Sequence, residues 1–208
     1  MILIGQYDSP FVRRVGIALT LYQMPFEHRP WSVFGDAGQV QHFNPLIRVP
    51  TLVLDDGDAV IDSAAIIDYL DRIARKDQVL FPRFEPARHR ALKVAALACG
   101  LADKAVSLVY ERRLHDQASP VWEARCLSQI AATLQVLEAD RAAQPAPWWF
   151  GERPGHADIA VACTLRYACE AHPGTIALAP YPALTAHCAG LEAMPVFQTI
   201  SQAFIAPA

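Results

Sequence analysis

The chain has 208 residues, 53% hydrophobic and 19% charged, which is enough apolar sequence for a sizeable core and excludes a disordered chain. Its 18 Lys and Arg against 21 Asp and Glu give a net charge of -3 with no basic stripe, arguing against nucleic acid as the main partner. No apolar run approaches the roughly 18 residues of a membrane span, and Met1-Ile2-Leu3-Ile4-Gly5 has neither a basic n-region nor a small-residue cleavage site, so we expect no signal peptide and a cytoplasmic location.

Residues 1–76 alternate short apolar runs with helical stretches. Ile2-Leu3-Ile4 has strand character and is stopped by Gly5. Asp8-Ser9-Pro10 is a helix start, with a capping side chain and a proline suited to the first helical position. Val12, Val15, Ile17, Ala18, Leu19 and Tyr22 form a helical stripe ending near Met24-Pro25, and residues 26–31 suit a second strand. Strand, helix and strand make a βαβ unit, whose strands are parallel. After an irregular or helical connection, Thr51-Leu52-Val53-Leu54 and Ala59-Val60-Ile61 flank Asp55-Asp56-Gly57-Asp58, a hairpin signal. Asp62-Ser63 then caps a helix carrying Ile66, Ile67, Tyr69, Leu70 and Ile73.

Residues 77–86, with Pro82 and Pro86, read as a linker, and beyond them no strand is evident. Helical stretches are expected at 88–115, 120–143, 158–171, 181–193 and 196–205, the second carrying Trp122, Cys126, Ile130, Leu134 and Leu137 at spacings of three or four. Residues 87–208 thus form an all-helical domain. The five cysteines (Cys99, Cys126, Cys163, Cys169, Cys188) lack a CxxC pair, and their Ala- and Leu-rich surroundings suit small buried hydrophobes better than disulfides or a zinc ribbon. Trp148-Trp149-Phe150 reads as a packing cluster rather than a cofactor box.

Three segments, Ser9-Pro10-Phe11-Val12-Arg13-Arg14, Phe43-Asn44-Pro45-Leu46-Ile47-Arg48-Val49-Pro50 and Asp62-Ser63-Ala64-Ala65-Ile66-Ile67, occur in this order ahead of the helical half. In that arrangement the chain resembles the soluble glutathione transferases over essentially its whole length, and bacterial and plant members with Ser-Pro-Phe at the first helix in particular. The resemblance implies an α/β thioredoxin-like domain (βαβ-ββα) followed by an all-α helical bundle. One departure stands before the central helix, where Gly151 and Asp158 match the family's capping box but Gly155 replaces its Ser or Thr. Glycine at an N-cap costs only a few tenths of a kcal/mol relative to Ser or Thr, and the reciprocal bond from Asp158 can survive.

Each candidate residue has a plain structural reading beside the one the resemblance implies. Asp8 or Ser9 caps the first helix; by resemblance, the Ser9 hydroxyl faces the thiol of glutathione. Lowering a thiol pKa from about 8.5 by two units takes roughly 2.7 kcal/mol, within reach of a helix dipole and a hydroxyl donor together. Because Ser9 stands where some relatives have cysteine, and no cysteine precedes Cys99, a mixed-disulfide mechanism lacks its nucleophile. Tyr7 is the competing hydroxyl and is read as packing at the strand end. Pro50 can simply open a strand; by resemblance the Val49-Pro50 bond is cis and Val49 pairs its backbone with the cysteinyl part of glutathione. Arg48 is either a surface charge or a partner for the glycine carboxylate. Asp62-Ser63 is either another cap or a zwitterion site, with Ser63 taking the γ-glutamyl carboxylate at a helix N-terminus and Asp62 the ammonium. Phe11 is expected beneath the ligand and His42 beside it, or at the surface. Tyr110, Arg112 and Arg113 fall where the family's long helix borders the second-substrate pocket; Tyr110 and Arg113 are taken as its candidates.

The function implied is conjugation of the glutathione thiolate to a small hydrophobic electrophile, with glutathione as co-substrate, no separate cofactor and no metal. A glutathione-dependent isomerase or dehalogenase would share the first site. The alternative from a different class is a non-catalytic glutathione-binding or protein-interaction member, like the stringent-starvation proteins. A homodimer is expected by resemblance, the N-terminal domain of one subunit against the helical domain of the other.

Overall fold

The computed structural model describes residues 1–207. In chain order it contains β1 (Ile2–Ile4), α1 (Pro10–Leu21), β2 (Glu27–Arg29), α2 (Ala37–Phe43), β3 (Thr51–Val53), β4 (Ala59–Ile61) and α3 (Ser63–Ile73). There follow α4 (Ala87–Leu114), α5 (Pro120–Ala142), α6 (His156–Ala171), α7 (Pro182–Glu192) and α8 (Pro195–Thr199). These make two compact units, Met1–Leu80 with Met194–Ala203, and Phe81–Ala193 with the residues from Phe204 on.

The first unit is built on a sheet of order β2-β1-β3-β4, with β1 parallel to β2 and antiparallel to β3, and β3 antiparallel to β4. The second strand is shorter than the expected 26–31, because Pro25 and Pro30 flank it and neither can donate to the ladder. The connection to β3 contains a helix, α2. Its Val40 packs with Ile4 and Val53, and Trp31, Phe43, Ile47 and Val49 gather around them. Leu3 and Leu52 alternate to the opposite side and are fully buried too, while α1 and α3 pack on each other and on β1 and β4. The sheet is therefore covered on both faces.

Residues 194–203 join this unit through Arg13. Its Nε donates to the Ile200 carbonyl and its Nη2 to the Phe197 carbonyl, each at 2.9 Å, and the guanidinium lies 5.4 Å from the Phe197 ring centre. Tyr7 N donates to Gln202 Oε1 nearby. The expected helix over 196–205 stops at Thr199, since the arginine takes carbonyls that a continuing helix would bond to its own N–H groups.

In the second unit α4 packs on α5 and α6, and α7 on α5 and α6. The stripe Cys126, Ile130, Leu134 and Leu137 is buried along α5, as its spacing predicts. The most enclosed helix is α6, capped at Gly155 without a side chain: Asp158 accepts from Gly155 N at 2.8 Å and from Trp149 N at 3.0 Å. His187 Nε2 stands 3.1 Å from the same carboxylate, and its ring meets Trp149 edge-on. Trp149 is buried and donates to Asp140, so the aromatic cluster packs as read. All five cysteines are free thiols; Cys126, Cys163 and Cys188 are buried and Cys99 and Cys169 partly so. Among the described residues no helix is long and apolar enough to cross a membrane.

Candidate functional site

Ser9 is the N-cap of α1. Its Oγ accepts from Val12 N at 3.4 Å, and Pro10 occupies the first helical position. A hydroxyl has one proton besides its lone pairs, so capping as an acceptor leaves that proton for an outside anion. The first turn of α1 holds no acidic residue, and the positive end of the helix dipole is not neutralised from within. Of the two residues that could cap, Ser9 does so and Asp8 precedes it.

Gly5 brings the turn before Pro50 to this helix end. Its φ is +126°, a value that favours glycine, and a Cβ built there would lie 2.5 Å from Val12 Cγ2 and 2.8 Å from Val49 Cβ. The first turn of α1, Gly5 and Val49 are therefore in close approach. The Val49-Pro50 bond is cis, as the resemblance implied. Asn44, almost fully buried, holds the loop from inside: it donates to the Arg48 carbonyl at 2.9 Å and to Thr51 Oγ1 at 3.1 Å, and accepts from Leu46 N at 3.0 Å. The sequence shows an Asn-Pro turn at this point, but the bonds that give Asn44 its role span up to seven residues.

On the other flank of α1 stands the start of α3. Asp62 is its N-cap at φ +70°, with Oδ1 accepting from Ala64 N at 2.8 Å and the carboxylate exposed. A non-glycine residue in this region is held there at a cost of about 1–3 kcal/mol, a kind of strain that gathers at ligand sites. Ser63 is buried, and its Oγ accepts from Arg14 Nη1 at 3.4 Å. Arg14 lies one residue after Arg13 on α1 and is itself only 3% exposed. In the sequence it stands in the segment from Ser9 to Arg14 without a role of its own; the apolar residues spaced around it on the helix are the signal that was there.

Among the other candidates, Phe11 is half-buried on α1, Pro50 is buried, and Arg48 is exposed while its carbonyl is tied to Asn44. His42 is exposed on α2 with its ring edge against Phe43. Tyr7 stacks on His28, ring centres 3.8 Å apart, and faces Gly16, where a Cβ would lie 2.8 Å from the phenol ring. Burial pushes its hydroxyl up to about 12, so it stays protonated at neutral pH. It is the packing residue the sequence suggested.

In the second unit Tyr110 and Arg113 are exposed near the end of α4. Arg112 bonds Glu123 of α5 and lies 3.5 Å from Nδ1 of the buried His172, whose Nε2 is 2.8 Å from the Ala105 carbonyl. Arg112 is thus committed to joining three helices of its own unit. Among the described residues no group of three or more His, Cys, Asp or Glu is arranged to hold a metal ion.

Family models agree with this architecture. Residues 3–78 match the glutathione S-transferase N-terminal domain and residues 120–190 the glutathione S-transferase C-terminal domain. The chain is 33% identical over 181 residues to the maleylacetoacetate isomerase of Pseudomonas aeruginosa, covering 82% of each. Among solved structures, a glutathione S-transferase from Methylobacillus flagellatus with glutathione bound superposes with a TM-score of 0.87 at 27% identity, covering 96% of this chain and 98% of that one. A maleyl pyruvate isomerase described as a bacterial zeta-class transferase gives a TM-score of 0.81 at 26% identity, covering 97% and 96%. With the thioredoxin-like sheet, the cis-proline loop and the helical second unit all in place, the chain belongs to the glutathione S-transferase family.

Proposed function

We propose that the first unit binds glutathione and that Ser9 stabilises its thiolate for attack on a small hydrophobic electrophile. Asp62 takes the γ-glutamyl ammonium and Ser63 the carboxylate, a zwitterion matched group for group at a helix N-terminus. Val49 pairs its backbone with the cysteinyl part, Arg48 meets the glycine carboxylate, and Phe11, His42 and Pro50 line the ligand. The second substrate's contacts we assign to Tyr110 and Arg113. A homodimer is the assembly we expect.

The observation that carries this reading is the Ser9 cap: a hydroxyl with a proton to donate, at the positive end of a helix with no acid in its first turn. In the step itself the sulfur lone pair forms a C–S bond. Electrons move either to a departing group or onto a conjugated carbonyl as an enolate that then takes a proton. If instead the enolate, before any proton is added, rotates about the former double bond and its electrons return to re-form that bond and expel the sulfur, the thiolate is regenerated and the net reaction is isomerisation. The isomerase activities named for two of the relatives favour that second outcome. A product that contains glutathione identifies a transferase, and an isomerised product with glutathione unconsumed identifies an isomerase.

The roles divide cleanly between two variants. Ser63→Ala should weaken glutathione binding, by about tenfold if one hydrogen bond to a charged group is lost. Ser9→Ala should leave affinity nearly unchanged and lower the fraction of bound thiolate. Equal loss of affinity in both, by calorimetry, would contradict the assignment.

A further inference from the structure

Arg13 and Arg14 are both buried on α1, and Arg13 holds the backbone of residues 194–203. Arg14 points to α3, where its Nη1 meets Ser63 Oγ at 3.4 Å. Ser63 is the only polar residue among those that α3 buries, the others being Ile66, Ile67 and Leu70. Desolvating a guanidinium is costly, and a hydrogen bond such as the one to Ser63 offsets part of that cost.

We infer that Arg14 is a positioning residue for recognition of the ligand's α-carboxylate, acting through Ser63; the inference rests on the reading that Ser63 receives that carboxylate. A serine hydroxyl has two lone pairs and one proton. With the guanidinium donating to a lone pair, the proton turns away from Arg14 and toward an anion on the far side. The positive charge also polarises the O–H bond and, in a poorly screened setting, adds direct attraction for the anion. Asp62, next in the chain and exposed, serves the ammonium and does not compete for the same role. Arg14 thus makes the site prefer a free α-amino acid end over a γ-linked chain that lacks the carboxylate.

The test compares three peptides by calorimetry: glutathione, 4-aminobutyryl-cysteinylglycine, which lacks the α-carboxylate, and glutaryl-cysteinylglycine, which lacks the α-amine. The wild-type protein should bind glutathione at least tenfold more tightly than the carboxylate-free peptide. Arg14→Met should lose about tenfold (about 1.4 kcal/mol) for glutathione and for the amine-free peptide, while affinity for the carboxylate-free peptide stays within about twofold. A merely structural role would weaken all three alike, and that result would overturn the inference. Unaltered preference in Arg14→Met would overturn it too, while leaving the Ser63 assignment standing. A wild-type protein indifferent to the carboxylate would instead remove the Ser63 assignment and the inference with it. Should Arg14→Met fail to fold, Arg14→Gln keeps an N–H for Ser63, removes the charge, and is read by the same comparison.

Discussion

Replacing Gly5 by alanine should loosen the fold and the glutathione site together. The new methyl would sit 2.5 Å from Val12 Cγ2 and 2.8 Å from Val49 Cβ, closer than carbon atoms pack, at a φ of +126°. Backbone strain of this kind costs about 1–3 kcal/mol, and forcing a methyl into a packed interior costs about 1–3 kcal/mol more. The two give a loss of about 2–6 kcal/mol. Gly57→Ala separates the contributions, because Gly57 also has positive φ, +90°, but nothing lies within 4 Å of its Cβ position. That control should lose only the backbone part. Urea unfolding of both variants, read beside glutathione titration, gives the comparison: Gly5→Ala should lose more stability and should also bind more weakly, since relief of the clash displaces Val49. Equal stability losses in the two variants would refute the claim that Gly5 is a contact point between α1 and the turn before Pro50.

Arg13→Met should free residues 194–203, because two charge-assisted bonds worth about 1.5–3 kcal/mol each disappear; amide exchange there should accelerate, and unchanged protection would contradict the role. His172 should make stability depend on pH. Burial first, and the Arg112 charge after it, lower its pKa below the usual 6.5, while the Ala105 bond opposes. The folded state therefore binds the proton less readily than the unfolded chain, so the contribution is complete above about pH 6.5 and falls as pH drops below it. His172→Gln should flatten the profile of unfolding free energy in that window, and an unaltered slope would show that other groups set it.

Much of the first unit could be read from local signals. Ser9-Pro10, Asp55-Asp56-Gly57-Asp58 and Asp62-Ser63 name a helix start, a hairpin and a second helix start by chemistry that spans only a few residues, and all three stand where expected. The Gly155 departure was equally readable, since the Asp158 bond to Gly155 N needs no side chain from the cap. What escaped were features made by distant partners. Arg13 reaches carbonyls more than 180 residues away, which gives residues 194–203 to the first unit and ends α8 early. Arg14 and Asn44 were quoted in their segments without roles, because their partners Ser63 and Thr51 become neighbours only once the sheet has formed. Arg112 lay among the residues aligned with the second-substrate region, and the charge that holds it to Glu123 sits eleven residues on in another helix.

The central claim is that a glutathione thiolate is stabilised at the start of α1 by Ser9. It is tested most directly by the thiolate absorbance of glutathione bound at saturation, followed from pH 5 to 9 in the wild-type protein and in Ser9→Ala. The account predicts a wild-type midpoint about two units below the free-thiol value of about 8.5, moving back up by about a unit or more in the variant. Saturable binding with an unshifted thiol, or a depressed midpoint that survives the loss of the hydroxyl, would contradict it.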